Sequence, residues 1–213
     1  MMRVLIADDE ELTRTGLHAL LSREPDIDVV GGAADGAEVL VMAAELKPDL
    51  VLMDVRMPEV DGIEATRRLR GTPDAPKVVV ITTFENDEYV YDALLAGASG
   101  FLLKRSRSAE IAHALRLVAS GDTLLFPDAV RRLAAARPVA VRADGPPLTA
   151  RETDVLRLMA AGLSNGDIAA RLYVTVETVK THVGNVLMKL GADNRTQAVV
   201  FAYENGVVVP GER

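Results

Sequence analysis

Three carboxylates stand where short apolar runs stop. VLIADD ends on Asp8 and Asp9, and DLVLMD ends on Asp54, four residues before Pro58. Carboxylates brought together repel, and a hard, oxygen-seeking cation relieves the repulsion; Mg2+ suits two or three carboxylates with waters and a phosphoryl oxygen. The same ion would neutralise charge on a phosphoryl group passing to a carboxylate nucleophile. Thr82 closes VVVIT and Lys104 follows GFLL, adding a hydroxyl and a cation suited to phosphoryl oxygens. Pro58 and Gly62 shape the loop after Asp54. Any one of these carboxylates would pass as a helix cap at a strand-to-helix turn. Five suitable residues on four of five strand ends are harder to dismiss.

The elements that must position them can be read from periodicity. Val4–Ala7, Val29–Gly32, Leu50–Met53, Val78–Ile81 and Gly100–Leu103 read as five strands. Each precedes a helix candidate: Glu11–Ser22, Ala37–Leu46, Ile63–Leu69, Asp87–Ala96 and Ala109–Ala119. Regular alternation of this kind predicts a doubly wound α/β fold, a five-stranded parallel sheet with helices on both faces, whose ligands bind at the carboxyl ends of the strands.

Residues 121–147 change character, with a short helix candidate at Asp128–Ala136 and then RPVAVRADGPP, and read as a linker. Beyond it, three helix starts crowd together. Thr149 with Glu152 and Ser164 with Asp167 have capping-box spacing, and Thr175 precedes a third periodic run. A fourth helix, Arg195–Glu204, ends at Asn205-Gly206. The expectation is a doubly wound α/β domain over 1–120 and an all-α, tetrahelical domain over 148–213.

Charge follows the same division. Residues 1–120 hold 13 basic against 21 acidic side chains, and residues 148–213 hold 7 of each, within a net charge of −7. A globally acidic chain lacks the broad basic field of a strong non-specific DNA binder, although it can still bind DNA locally. There is no cysteine, which excludes disulfides and thiolate metal sites. No apolar run has membrane length and the N-terminus has no signal-peptide pattern, so a cytoplasmic location without membrane attachment is expected. No P-loop or dinucleotide fingerprint is present, and His18, His113 and His182 have no metal-ligand spacing.

VLIADDEELTRTGL, DLVLMDVRMPEVDGIEATRRLR, VVVITTF and LLAGASGFLLK resemble the CheY-like receiver domain of two-component response regulators over roughly the first 120 residues. The resemblance implies that Asp54 is the phospho-acceptor, that Asp9 and Asp54 hold Mg2+ with the Arg56 carbonyl, and that Asp8 is an outer partner of the metal. It also implies that Thr82 and Phe101 are the switch pair and that Lys104 binds phosphate. Arg105 departs from the residues relatives commonly carry after the lysine. Arg56 and Phe84 occupy positions that influence acyl-phosphate hydrolysis, and their bulk suggests a long-lived phosphoform.

In the third C-terminal helix, Val179, Val183, Val186 and Leu190 form an apolar stripe, with Thr181, Asn185 and Met188 opposite and Lys180 on the flank. Periodicity alone fits an ordinary amphipathic helix as well as a DNA-reading one. GLSNGDIAARL followed by VTVETVKTHVGNVLMKLG, however, resembles the LuxR-type helix-turn-helix of the NarL/FixJ family. The resemblance makes Asn165–Leu172 the second helix and Val176–Leu190 the recognition helix. Lys180, Thr181 and Gly184 then fall on the reading face, and Thr178, His182, Asn185 and Lys189 become candidates for phosphate or flanking contacts. Gly184 stands where relatives often have a longer polar side chain.

Three readings follow. The first is a transcription factor phosphorylated on Asp54 by a sensor histidine kinase, binding promoter DNA as a homodimer, with no enzymatic activity beyond its own phosphoryl transfer and dephosphorylation. The second is a phosphatase that forms an aspartyl phosphate, against which stands Arg56 where such enzymes carry a second acid. The third binds DNA without phosphorylation.

Overall fold

The computed structural model describes residues 1–72, 74–83, 87–122, 127–135 and 147–208. The chain divides into two compact units, Met1–Ala119 and Ser120–Arg213.

The first unit runs β1 (Met2–Ala7), α1 (Glu11–Leu21), β2 (Ile27–Ala33), α2 (Gly36–Leu46), β3 (Leu50–Asp54), α3 (Gly62–Arg70), β4 (Lys77–Thr82), α4 (Asp87–Ala96), β5 (Gly100–Leu103) and α5 (Ser108–Ser120). All strand pairs are parallel, in the order β2-β1-β3-β4-β5. The predicted strands are all present, and four of them extend by one or more residues at an end. Parallel strands covered on both faces read as unbroken apolar runs, which is why they were legible: Val4–Ala7, Leu50–Met53 and Val78–Ile81 are all buried. Because β1 lies between β2 and β3, the strand order reverses between β1 and β3. The carboxyl ends of these two strands form the crevice in which such sheets bind ligands.

The second unit holds α6 (Pro127–Ala135), α7 (Ala150–Ala160), α8 (Asn165–Leu172), α9 (Val176–Leu190) and α10 (Arg195–Glu204). Both predicted capping boxes form, at Thr149/Glu152 and Ser164/Asp167, and Thr175 caps α9. Helix α8 stops at Tyr173, whose φ of 55° puts it in the left-handed region, and Arg151 donates to the Leu172 carbonyl at 2.8 Å.

Two features were not evident in the sequence. Helix α6, expected within a linker, packs against α10 and buries Val130 there as part of the second unit. Its amphipathic pattern needs a partner surface, and α10 supplies one. Helix α10 has no polar face: Arg195 through Val200, with Ala202 and Tyr203, are buried, and the helix packs on α6, α7 and α9. Its polar residues are accommodated by hydrogen bonds. Arg195 donates to Asn165 Oδ1 at 2.9 Å and to the Leu163 carbonyl at 2.6 Å, while Asn165 Nδ2 donates to Asp122 Oδ1 at 3.0 Å. Burial of its guanidinium lowers the pKa of Arg195 to about 10.

Candidate phosphoryl-acceptor and DNA-reading sites

The strand ends bring the acidic set together. Asp8, Asp9 and Asp54 offer carboxylate oxygens within 4.8 Å of one another. The helix-cap explanation does not hold for them. Helix α1 starts after Glu10, which makes no side-chain cap, and α3 is capped by Asp61, leaving Asp54 inside the end of β3. Asp8 is fully buried, Asp54 is 6% exposed and Asp9 is open to solvent.

Lys104 enters this cluster from the end of β5. Its Nζ lies 3.0 Å from Asp54 Oδ2 and 2.7 Å from Asp8 Oδ2. The remaining oxygens have backbone partners: Asp54 Oδ1 accepts from the Val55 N–H at 2.8 Å and Asp8 Oδ1 from the Glu10 N–H at 3.0 Å. Burial raises the Asp54 carboxyl above its usual value, and the Lys104 hydrogen bond only partly opposes this. Burial alone would lower Lys104, but its hydrogen bonds to Asp8 and Asp54 outweigh that and raise it. Asp8 Oδ2 is fully buried and is paired with the Lys104 ammonium at 2.7 Å. An all-oxygen donor set of three clustered carboxylates, one of them open to solvent, fits a hard divalent cation such as Mg2+.

One positioning residue escaped the sequence reading, and a second, Gly62, was expected only to shape the loop. Arg14 on α1 donates to the Asp8 and Asp9 carbonyls at 2.6 and 3.1 Å, fixing the loop that carries both acids. Gly62, the first residue of α3, approaches so closely that a Cβ there would collide with the Asp54 carbonyl oxygen. Arg14 has no signal in one sequence, because nothing in a helical arginine reveals which carbonyls it meets. Gly62 carried a weak signal as a glycine opening a helix.

Thr82 ends β4, and its carbonyl accepts from the Lys104 N–H at 2.8 Å. Phe101 pairs in register with Val80 and is half-buried. The Arg56 guanidinium sits 5.5 Å from the centroid of the Tyr89 ring, a cation–π contact. Phe84 lies outside the described residues.

On α9 the predicted stripe divides in two: Val179 and Val186 are buried, and Val183 and Leu190 are half-buried. Lys180, Thr181 and Gly184 are exposed, Met188 is 73% exposed, and nothing lies within 4 Å of a Cβ built at Gly184. Thr178, His182 and Asn185 are half-buried, and Thr178 shares a hydrogen bond with the capping Thr175. Lys189 is half-buried, and its ammonium contacts the buried Glu152 carboxylate of α7 at 2.7 Å.

Comparison with known proteins matches both units. Residues 4–116 match the response regulator receiver domain, and residues 146–202 match the bacterial regulatory proteins of the luxR family. The transcriptional regulatory protein LiaR of Bacillus subtilis (strain 168) is 43% identical over 98% of this chain and 100% of its own length. The response regulator protein VraR of Staphylococcus aureus is 40% identical over 97% of this chain and 99% of its own. Among solved structures, the response regulator ChrA of a heme-sensing two-component system is 34% identical with a TM-score of 0.54, covering 97% of this chain and 98% of that one. With an acidic strand-end cluster in one unit and an exposed recognition-helix face in the other, this chain belongs to the two-component response regulators of the LuxR-type helix-turn-helix family and is a DNA-binding transcriptional regulator.

Proposed function

We propose that the protein receives a phosphoryl group on Asp54 from a sensor histidine kinase and that the phosphoform binds promoter DNA as a homodimer. One observation carries the reading: a half-neutralised carboxylate cluster in which Lys104 bridges Asp8 and Asp54 at the switch point of a parallel sheet. An Asp54 oxygen attacks phosphorus while the bond to the kinase histidine nitrogen breaks, and the imidazole leaves with the electron pair. Asp9, Asp54 and the Arg56 carbonyl would hold Mg2+, with Asp8 behind them; the ion would supply charge neutralisation at the phosphoryl oxygens. Lys104 exchanges its carboxylate contact for a phosphoryl oxygen, Thr82 donates its hydroxyl to another, and Phe101 follows Thr82 inward as the switch. Water attacking the same phosphorus later returns the carboxylate, the other reaction this site performs on itself.

The DNA end of the reading rests on α9. Lys180, Thr181 and Gly184 are exposed together, with Thr178, His182 and Asn185 at the flanks. Residues 148–213 balance 7 basic and 7 acidic side chains, so one copy makes few phosphate contacts and binds weakly. Joining two copies raises the effective concentration of the second and places half-sites about 10 bp apart. Among the described residues no helix is long and apolar enough to cross a membrane.

The deciding experiment is the mass in solution with and without Mg2+ and acetyl phosphate, for this chain and for Asp54→Asn. Dimer formation by the native chain alone supports the reading. Identical behaviour of the two chains removes phosphorylation as the trigger and favours DNA binding without it.

A further inference from the structure

Helix α9 carries an acid where a DNA-reading surface would be expected to avoid one. Glu177 lies in its first turn, its side chain is 80% exposed, and its Oε1 is 2.9 Å from Lys180 Nζ, which is 52% exposed. Two local roles suit it. A carboxylate in the first turn complements the helix dipole, and an i,i+3 pair with lysine steadies the turn. Both roles could be filled on any face of the helix. Glu177 instead shares an exposed strip with Lys180, Thr181, Gly184 and Met188, at the end of the helix that helix-turn-helix proteins place against base edges.

We infer that Glu177 is a specificity-determining residue which, together with Lys180, reads one G·C base pair in the major groove. The inference rests on the DNA-reading role proposed for α9. The major-groove edge of a G·C pair sets the guanine acceptors N7 and O6 beside the cytosine N4 amino donor. The Lys180–Glu177 pair presents the complementary pattern, a donor and an acceptor 2.9 Å apart. Lysine is suited to the guanine acceptors and glutamate to the cytosine amino group. Neighbouring residues leave this edge accessible. Thr181 directs its hydroxyl to the Glu177 carbonyl at 3.0 Å, so that hydroxyl does not compete for the base. Gly184 has no side chain to hold the helix off the groove, and open space surrounds its missing Cβ. Against an A·T pair the adenine N6 donor stands between two acceptors, so Lys180 loses the adjacent N7 and O6 pair and Glu177 no longer meets an amino group beside it; the pair rejects wrong sites as well as recognising the right one.

The test uses the full chain with Mg2+ and acetyl phosphate. A binding site is selected from random duplexes, and affinity is then measured with each position of that site changed in turn. The native chain should show a G·C position per half-site at which substitution weakens binding roughly 5- to 100-fold. Glu177→Ala should lose the preference at that position and keep it at the others. Glu177→Gln should shift the preference toward A·T, because an amide pairs with adenine N6 and N7. If both variants tighten binding to every duplex by one common factor and leave the base preferences unchanged, Glu177 acts only as a charge and the inference is overturned. If the native chain selects no site at all, the DNA-reading role of α9 fails and the inference fails with it. Retained thermal midpoints in the variants assign any change to the interface, since Glu177 is solvent-exposed.

Discussion

Lys189 of α9 lies 2.7 Å from the carboxylate of Glu152, the residue that also closes the capping box of α7. One acid therefore starts one helix and fastens another to it. The Lys189 hydrogen bond, with the Thr149 backbone N–H behind it, lowers the Glu152 pKa from 4.5 to about 2. A lowered carboxylate contributes stability that is present above about pH 4.5 and is lost as pH falls through about 2. Glu152→Gln should cost the second unit roughly 1–3 kcal/mol at neutral pH and flatten its stability between those pH values in acid titrations followed by circular dichroism. Lys189→Ala should lower stability in the same way yet leave the salt dependence of DNA binding unchanged. A shallower salt slope would place Lys189 among the phosphate contacts.

Lys104 contacts two of the three carboxylates proposed to hold the metal. Lys104→Met leaves buried Asp8 beside Asp54 without a cation, and should destabilise the first unit by roughly 1–3 kcal/mol in urea titrations. Added Mg2+ should restore most of that loss, and calorimetry should find tighter Mg2+ binding than in the native chain. Phosphorylation from acetyl phosphate should nevertheless be slower, because the cation that meets the phosphoryl oxygen is gone.

Burial raises the Asp54 carboxyl, so its ionised form strains the folded unit. For a raised carboxylate, stability falls as pH rises from the usual value of 3.8 through the raised one. Without metal, Asp54→Asn should therefore melt at a higher temperature than the native chain at pH 7, and the gap should close toward pH 4. Mg2+ should narrow the gap at pH 7 by stabilising the native chain more than the variant.

Two glycines predict opposite outcomes for the same substitution. Gly184→Ala meets open space within a helix and should stabilise the second unit by roughly 0.5–1 kcal/mol. Gly62→Ala drives a Cβ into the Asp54 carbonyl oxygen, so the loop after β3 must move. The Gly62 variant should lose phosphorylation from acetyl phosphate even where circular dichroism shows a folded receiver unit.

These cases mark where the sequence was readable. The five strands and their order of helices were legible because buried parallel strands have a simple apolar signature, and the acids were legible because they stand at the ends of those strands. The caps at Thr149, Ser164 and Thr175 were legible because capping is a local matter of three residues. Partners distant in sequence were not. Nothing near Lys189 announces Glu152, 37 positions away, and nothing near Asp122 announces Asn165. The bounds of helix α10 were legible, but the burial of its arginine, threonine and glutamine was not, because it depends on helices distant in sequence.

The cluster at the strand ends has a further consequence in its net charge. Three carboxylates and one ammonium sum to −2, which one divalent cation cancels. Converting the Asp54 carboxylate to an acyl phosphate then changes the total by about one unit. A field that small fades within roughly 8–10 Å at physiological salt. Distant parts of the molecule therefore cannot sense the phosphoryl group through space. Under the proposed function, the message would have to be carried mechanically, by side chains that respond to the new oxygens.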